Sequence, residues 1–185
     1  GVTVGEDGAS HQAIEDISLM RSVPNMTVIV PCDAIETKKA VIAAADVEGP
    51  VYIRIARPVA PIITEESCDF EIGKAEVLKQ GKDLSIFATG LMVAKALEAA
   101  SILADKGIDV TVVNVHTIKP LDEEIVLKEA VKTGKVITVE EHTIIGGLGS
   151  AMAEVLVGKE RVKMKRIGLN DTFGQSGNPE SLLEY

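Results

Sequence analysis

The chain has 185 residues, 46% hydrophobic and 25% charged, carries a net charge of −9 and contains no tryptophan. That length suits one large domain or two small ones around an aliphatic core, and the acidic balance argues against bare nucleic acid or an anionic membrane surface as partner. No apolar run reaches the roughly 20 residues that a bilayer-crossing helix needs, and no signal-peptide pattern is present, so a soluble protein without a membrane partner is expected.

The chain opens on GVTVGEDGASHQAIED, a glycine-studded run carrying Glu6, Asp7 and His11. HQAIEDISLMRSV follows with Ile14, Ile17 and Met20 or Arg21 near one face, which predicts a short helix capped by the Ser10 hydroxyl and broken at Pro24 and Asn25. MTVIV predicts a buried strand ending at Pro31, and DAIETKKAVIAAADVEG a helix with Asp33 as N-cap and Gly49 closing it. VYIRIAR predicts the next strand, with Arg57 at its carboxyl end. Residues 26–57 thus read as a strand–helix–strand unit with parallel strands. Residues 58–71 are proline-rich, acidic and aperiodic, and read as a linker.

Past the linker the pattern is more regular. Residues 72–79 suit an edge strand, LSIFA a buried strand, and the following stretch a helix with Val93, Ala96, Leu97, Ala100, Leu103 and Ala104 on one face, stopped at Gly107. VTVVN, KVITVEE and KMKRIGL read as strands, and LDEEIVLKEAVKT and LGSAMAEVLVG as helices, the second burying Leu148, Ala151, Met152, Val155 and Leu156. Strands alternating with amphipathic helices predict an open, mostly parallel sheet with helices on both faces. Residues 66–185 carry a full core pattern and are expected to fold without the first segment. Cys32 and Cys68 are far apart and lack metal-ligand spacing, which reads as free thiols in a reducing, cytoplasmic setting.

Ligands of open α/β sheets bind beyond the carboxyl ends of the strands, and four segments are candidates. In GEDGASH, Gly5 and Gly8 permit tight turns that let Glu6, Asp7 and His11 converge; the alternative is a helix-entry loop with acids near a helix N-terminus. Arg57 could clamp a phosphate with two parallel bonds, or pair with the acidic linker. IIGGLGS before a helix is placed like a phosphate cradle, yet it has no Walker lysine and does not fit GxGxxG, so close backbone packing at an interface is the favoured reading. His116 and His142 stand alone and read as structural hydrogen-bonding groups. No metal-ligand spacing and no serine nucleophile elbow are present.

GEDGASHQAIEDISLMRSVPNMTVIVPCD, GPVYIRIAR, GKAEVL, VVNVHTIKPLD, ITVEEHTIIGGLGS and RIGLNDTFGQSG together resemble the transketolase family over essentially the whole chain, most closely the C-terminal subunit of split bacterial and archaeal transketolases. The resemblance implies that residues 1–65 are the second half of a thiamine-diphosphate pyrimidine-binding domain and residues 66–185 a transketolase C-terminal domain. It implies transfer of a two-carbon ketol unit from a ketose phosphate to an aldose phosphate, in the pentose phosphate pathway. It implies thiamine diphosphate and a divalent metal, Mg, in the complete enzyme, neither bound tightly by this chain alone. It further implies an N-terminal transketolase subunit as partner, homodimerisation and sugar phosphate substrates.

Carried over by motif, Asp7 bonds a sugar hydroxyl beside the reacting carbons, His11 binds substrate and shuttles protons, and Arg57 grips the substrate phosphate. Glu6 is read as structural or interfacial. Ala9 and Ser10 stand where many members have proline and threonine. The glutamate that activates the cofactor and its diphosphate site are expected outside this chain, which opens on Gly1 and reads as part of a longer subunit, inactive alone. Alternatives are a 1-deoxyxylulose-5-phosphate synthase, against which Glu6 argues, a 2-oxoacid dehydrogenase beta subunit, and a non-catalytic assembly module.

Overall fold

The computed structural model describes residues 1–159 and 161–184. Residues at the start do not enter a helix at Ser10. Val2–Asp7 form tight 3-10 turns, interrupted at Gly5 (φ +84°) and ended at Gly8 (φ +75°), backbone conformations that favour glycine. The Ser10 hydroxyl lies 3.0 Å from His11 Nδ1 instead of capping a helix. Helix α1 runs Asp16–Ser22, preceded by Glu15 with no side-chain cap. It buries Ile17 completely.

Strand β1 (Thr27–Ile29) precedes helix α2 (Ala34–Ala44) and strand β2 (Val51–Ile53). β1 and β2 pair in parallel, Thr27 opposite Val51 and Ile29 opposite Ile53, so the expected strand–helix–strand unit is present. Asp33 is its N-cap: the carboxylate accepts from the Glu36 amide at 2.8 Å. Two details differ from expectation. α2 ends at Ala44, and Gly49 (φ +115°) serves the turn into β2 rather than closing the helix. β2 ends at Ile53, with one last bond from the Arg54 amide to the Ile29 carbonyl at 2.8 Å. β1 runs into Pro31, which has no amide to extend a ladder, so Arg57 stands on the loop beyond the strand rather than at its end.

The second sheet has the order β3-β5-β4-β7-β8. Its strands are β3 (Glu76–Lys79), β4 (Leu84–Ala88), β5 (Val110–Asn114), β7 (Lys135–Thr143) and β8 (Lys163–Leu169). β3 is an antiparallel edge, and the other pairings are parallel. Helices α3 (Met92–Asp105), α4 (Glu123–Thr133), α5 (Leu148–Leu156) and α6 (Pro179–Glu184) accompany these strands. Successive β4 residues point to opposite faces. Ile86 and Ala88 pack under α3 with Val93, Ala96 and Ala100. Phe87 packs with Val126 of α4 and Leu148 and Met152 of α5. This is the mostly parallel sheet with helices on both faces that the sequence predicts.

One further strand follows β5. Thr117–Lys119 form strand β6, which pairs antiparallel with β1, Ile29 opposite Thr117. The first sheet, β2-β1-β6, is therefore built from both halves of the chain. The core is shared too. Ile17, Val28 and Val30 belong to the same buried cluster as Phe87, Val113, Val115, Ile118 and Met152. A polar tie reinforces it: buried Glu36 accepts from Asn114 Nδ2 at 2.8 Å and from the Cys32 amide at 2.6 Å. Burial pushes the Cys32 thiol and the Glu36 carboxyl above their usual ranges. Residues 66–185, read from sequence as self-sufficient, thus share one buried cluster with Ile17, Val28 and Val30 of the first segment. No helix among the described residues is long and apolar enough to cross a membrane.

Candidate functional site

The turns at Gly5 and Gly8 bring the opening loop against the chain leaving β2. Arg57 Nη1 donates to Asp7 Oδ2 in an ion pair, the two side chains being 61% and 40% exposed. His11 is exposed, and it lines the same open cleft as Arg57, about 370 Å³ in volume, beyond the carboxyl end of β2. Of the three residues singled out in sequence, Arg57 thus pairs with Asp7 and shares a cleft lining with His11. Glu6 is exposed beside them.

The floor of the cleft is a network that the sequence reading missed. Arg54, its side chain only 12% exposed, donates from Nε to Asp16 Oδ2 at 2.9 Å. Its Nη2 donates to the carbonyls of Ala13 at 3.1 Å and Glu141 at 3.0 Å. The Tyr52 hydroxyl donates to the same Asp16 oxygen at 2.8 Å. Burial by itself would raise the Asp16 carboxyl, but the Arg54 charge and the Tyr52 bond outweigh it and leave the carboxyl below its usual range. One guanidinium thus joins the loop carrying His11, strand β2 and strand β7. The available signal was a lone arginine inside the otherwise apolar run VYIRIA; a charge there demands a buried partner.

The EEH of β7 has structural duties. Glu140 accepts from the Leu148 amide at 2.6 Å and the Gly149 amide at 2.8 Å, so the N-terminus of α5 is already occupied by a carboxylate. A Cβ on Gly147 would run into that carboxylate and the His142 ring. The glycine loop is therefore a site of close packing. Burial raises the Glu140 carboxyl to about 7, against the two amide bonds that favour its charged form. Glu141 accepts from the Thr3 amide, fastening the opening loop to β7. His142, fully buried, donates from Nδ1 to the Thr143 carbonyl at 2.6 Å and accepts at Nε2 from the Ser18 amide at 3.4 Å. That pattern fixes a neutral ring, and burial lowers its pKa. His116 lies against Phe70, ring centroids 4.4 Å apart, and burial brings its pKa down to about 4. Both histidines take the structural role expected of them.

Two family profiles match in tandem: "Transketolase, pyrimidine binding domain" over residues 1–61 and "Transketolase, C-terminal domain" over residues 73–185. The chain belongs to the transketolase family. A protein of Methanocaldococcus jannaschii named for a transketolase C-terminal section is 50% identical, covering 100% of this chain and 58% of the relative. A solved split-gene transketolase, described as an inactive β4 tetramer, superposes with a TM-score of 0.92 at 51% identity, covering 96% of this chain and 58% of that one. The 1-deoxy-D-xylulose-5-phosphate synthase of Desulforudis audaxviator is 41% identical over 98% of this chain and 29% of its own length. This transketolase-family chain spans little more than half of the first relatives it matches.

Family membership implies thiamine diphosphate. Among the described residues no three His, Cys, Asp or Glu side chains converge as a metal site.

Proposed function

We propose that this chain contributes the substrate-facing part of a transketolase, which moves a two-carbon ketol unit from a ketose phosphate to an aldose phosphate. The observation that supports the reading is that Arg57 pairs with Asp7 and lines one cleft together with His11, the residues coming from two separate stretches of the transketolase-like sequence. Arg57 binds the substrate phosphate through a charge-assisted fork and exchanges its bond to Asp7 for it. Asp7, so released, accepts from a sugar hydroxyl. His11 lines the same cleft, where its imidazole holds or hands over a proton of a substrate hydroxyl. Arg54 and Asp16 keep the backbone beside His11 in place. Thiamine diphosphate, bound elsewhere in the complete enzyme, supplies the nucleophilic carbon. The partner is an N-terminal transketolase subunit, as the split organisation of the structural relative suggests, and a divalent metal such as Mg belongs with the cofactor there.

The test mixes the complete subunit with that partner, thiamine diphosphate and Mg. Ketol transfer between sugar phosphates is expected, with none from residues 1–185 alone. Condensation of pyruvate with glyceraldehyde 3-phosphate, releasing carbon dioxide, would favour the synthase reading instead, which the 41% identical relative makes a real competitor.

A further inference from the structure

Residues 174–184 fold back on the opening loop. Gln12, 4% exposed and adjacent to His11, sits at the centre of the contact. Its Nε2 faces the carbonyls of Val2 at 3.0 Å, Gly5 at 3.4 Å and Gln175 at 2.9 Å. An amide nitrogen has two hydrogens, so Val2 and Gln175 take one each and Gly5 is held at longer range. One side chain thus closes the ring of residues 5–12 from inside and fastens it to the end of the chain.

The backbones also interlock at glycines on both sides of the seam. A Cβ on Gly8 would run into Ser176 Oγ, one on Gly5 would come within 3.1 Å of Pro179, and one on Gly174 within 2.8 Å of Gln12 Cδ. The segment gives little to the interior. α6 has no buried residue, and Phe173 is 91% exposed. A segment with no buried residue among those described in α6, yet packed so closely against one loop, acts on that loop.

We infer that residues 174–179 form a strap that positions Asp7 and His11, with Gln12 as the positioning residue that locks it. The catalytic part of this inference rests on the transketolase reading; the mechanical part does not. Loosening the strap lets the loop sample other turns, so Asp7 and His11 lose their shared geometry while the sheet is untouched.

The experiment approaches the seam from both sides in the complete subunit. Gln12→Glu keeps the shape and removes both donors; Gly174→Val pushes the strap away by crowding Gln12, with every residue of the loop itself unchanged. Amide hydrogen exchange is followed in residues 1–13, 174–184 and the β4–β5 core, and steady-state kinetics are measured with partner and cofactor. Both variants should speed exchange in both end segments, leave β4–β5 protection unchanged, and lower kcat at least tenfold with phosphorylated and non-phosphorylated donors alike. Faster exchange with kcat within twofold of wild type would make the strap a cover and overturn the positioning role. Unchanged exchange in the loop would overturn the lock itself. If the wild-type protein transfers no ketol unit, the functional reading fails, while coupled exchange of the two segments still supports the strap.

Discussion

Replacing Arg57 by alanine separates a phosphate clamp from a structural ion pair. The guanidinium is 61% exposed and its Asp7 partner 40% exposed, so the pair is screened and its loss should cost folding stability only about 0–1 kcal/mol. A charge-assisted bond to a phosphate is stronger, and losing it should cost about 1.5–3 kcal/mol of binding, or roughly ten- to a hundredfold. The upper part of that range is expected, because the variant also leaves Asp7 as an uncompensated negative charge beside the incoming phosphate. If the phosphate is held equally in ground and transition states, the loss appears in KM with kcat little changed. The assay pairs a ketose phosphate donor with hydroxypyruvate, which has no phosphate, on the same reconstituted variant. Arg57→Lys keeps the charge without the fork and should fall between wild type and Arg57→Ala. Equal losses for the two donors, or a marked fall in the urea midpoint, would refute the clamp and return Arg57 to a role in holding the loop.

Arg54→Met should destabilise the fold by about 3 kcal/mol in urea titration at pH 7, since it strands a carboxylate that is 12% exposed with only the Tyr52 hydroxyl. In the wild type the lowered Asp16 pKa contributes stability that is present above the unfolded value near ~3.9 and lost as pH falls through the folded value; that loss should disappear in the variant. Glu140 has the opposite sign. Its folded pKa of about 7 gives a contribution that is full below ~4.5 and lost as pH rises through 7, so Glu140→Gln should flatten the decline of the urea midpoint between those values. Ile17→Ala should cost about 2–5 kcal/mol, because its side chain is fully buried in the cluster that joins both halves. For the same reason residues 66–185 alone should melt without the sharp transition of the full chain in circular dichroism, and a sharp one would show that the shared cluster is dispensable.

The regular elements were legible because their signals are local. Asp33 before an amphipathic run marks a helix start, LSIFA and VTVVN are apolar enough to be central strands, and the alternation of the two patterns dictates a parallel sheet. The candidate site residues stood out as types at fixed places: Asp7 between Gly5 and Gly8, His11 just after them, and Arg57 before a proline. What the sequence could not decide was anything settled by distant partners. Ser10 has the right chemistry for a helix cap, but Gln12 and the two glycines pull residues 1–13 into turns, and the helix starts at Asp16. Thr117–Lys119 is too short to show a period, and it becomes a strand only because β1 offers an open edge. Arg54 and Asp16 are 38 residues apart, and only the packing of β2 against α1 shows that each buried charge is the other's partner. Local patterning set the elements; the pairing of Arg57 with Asp7, and the cleft that Arg57 and His11 both line, are properties of long-range packing, which no window of sequence contains.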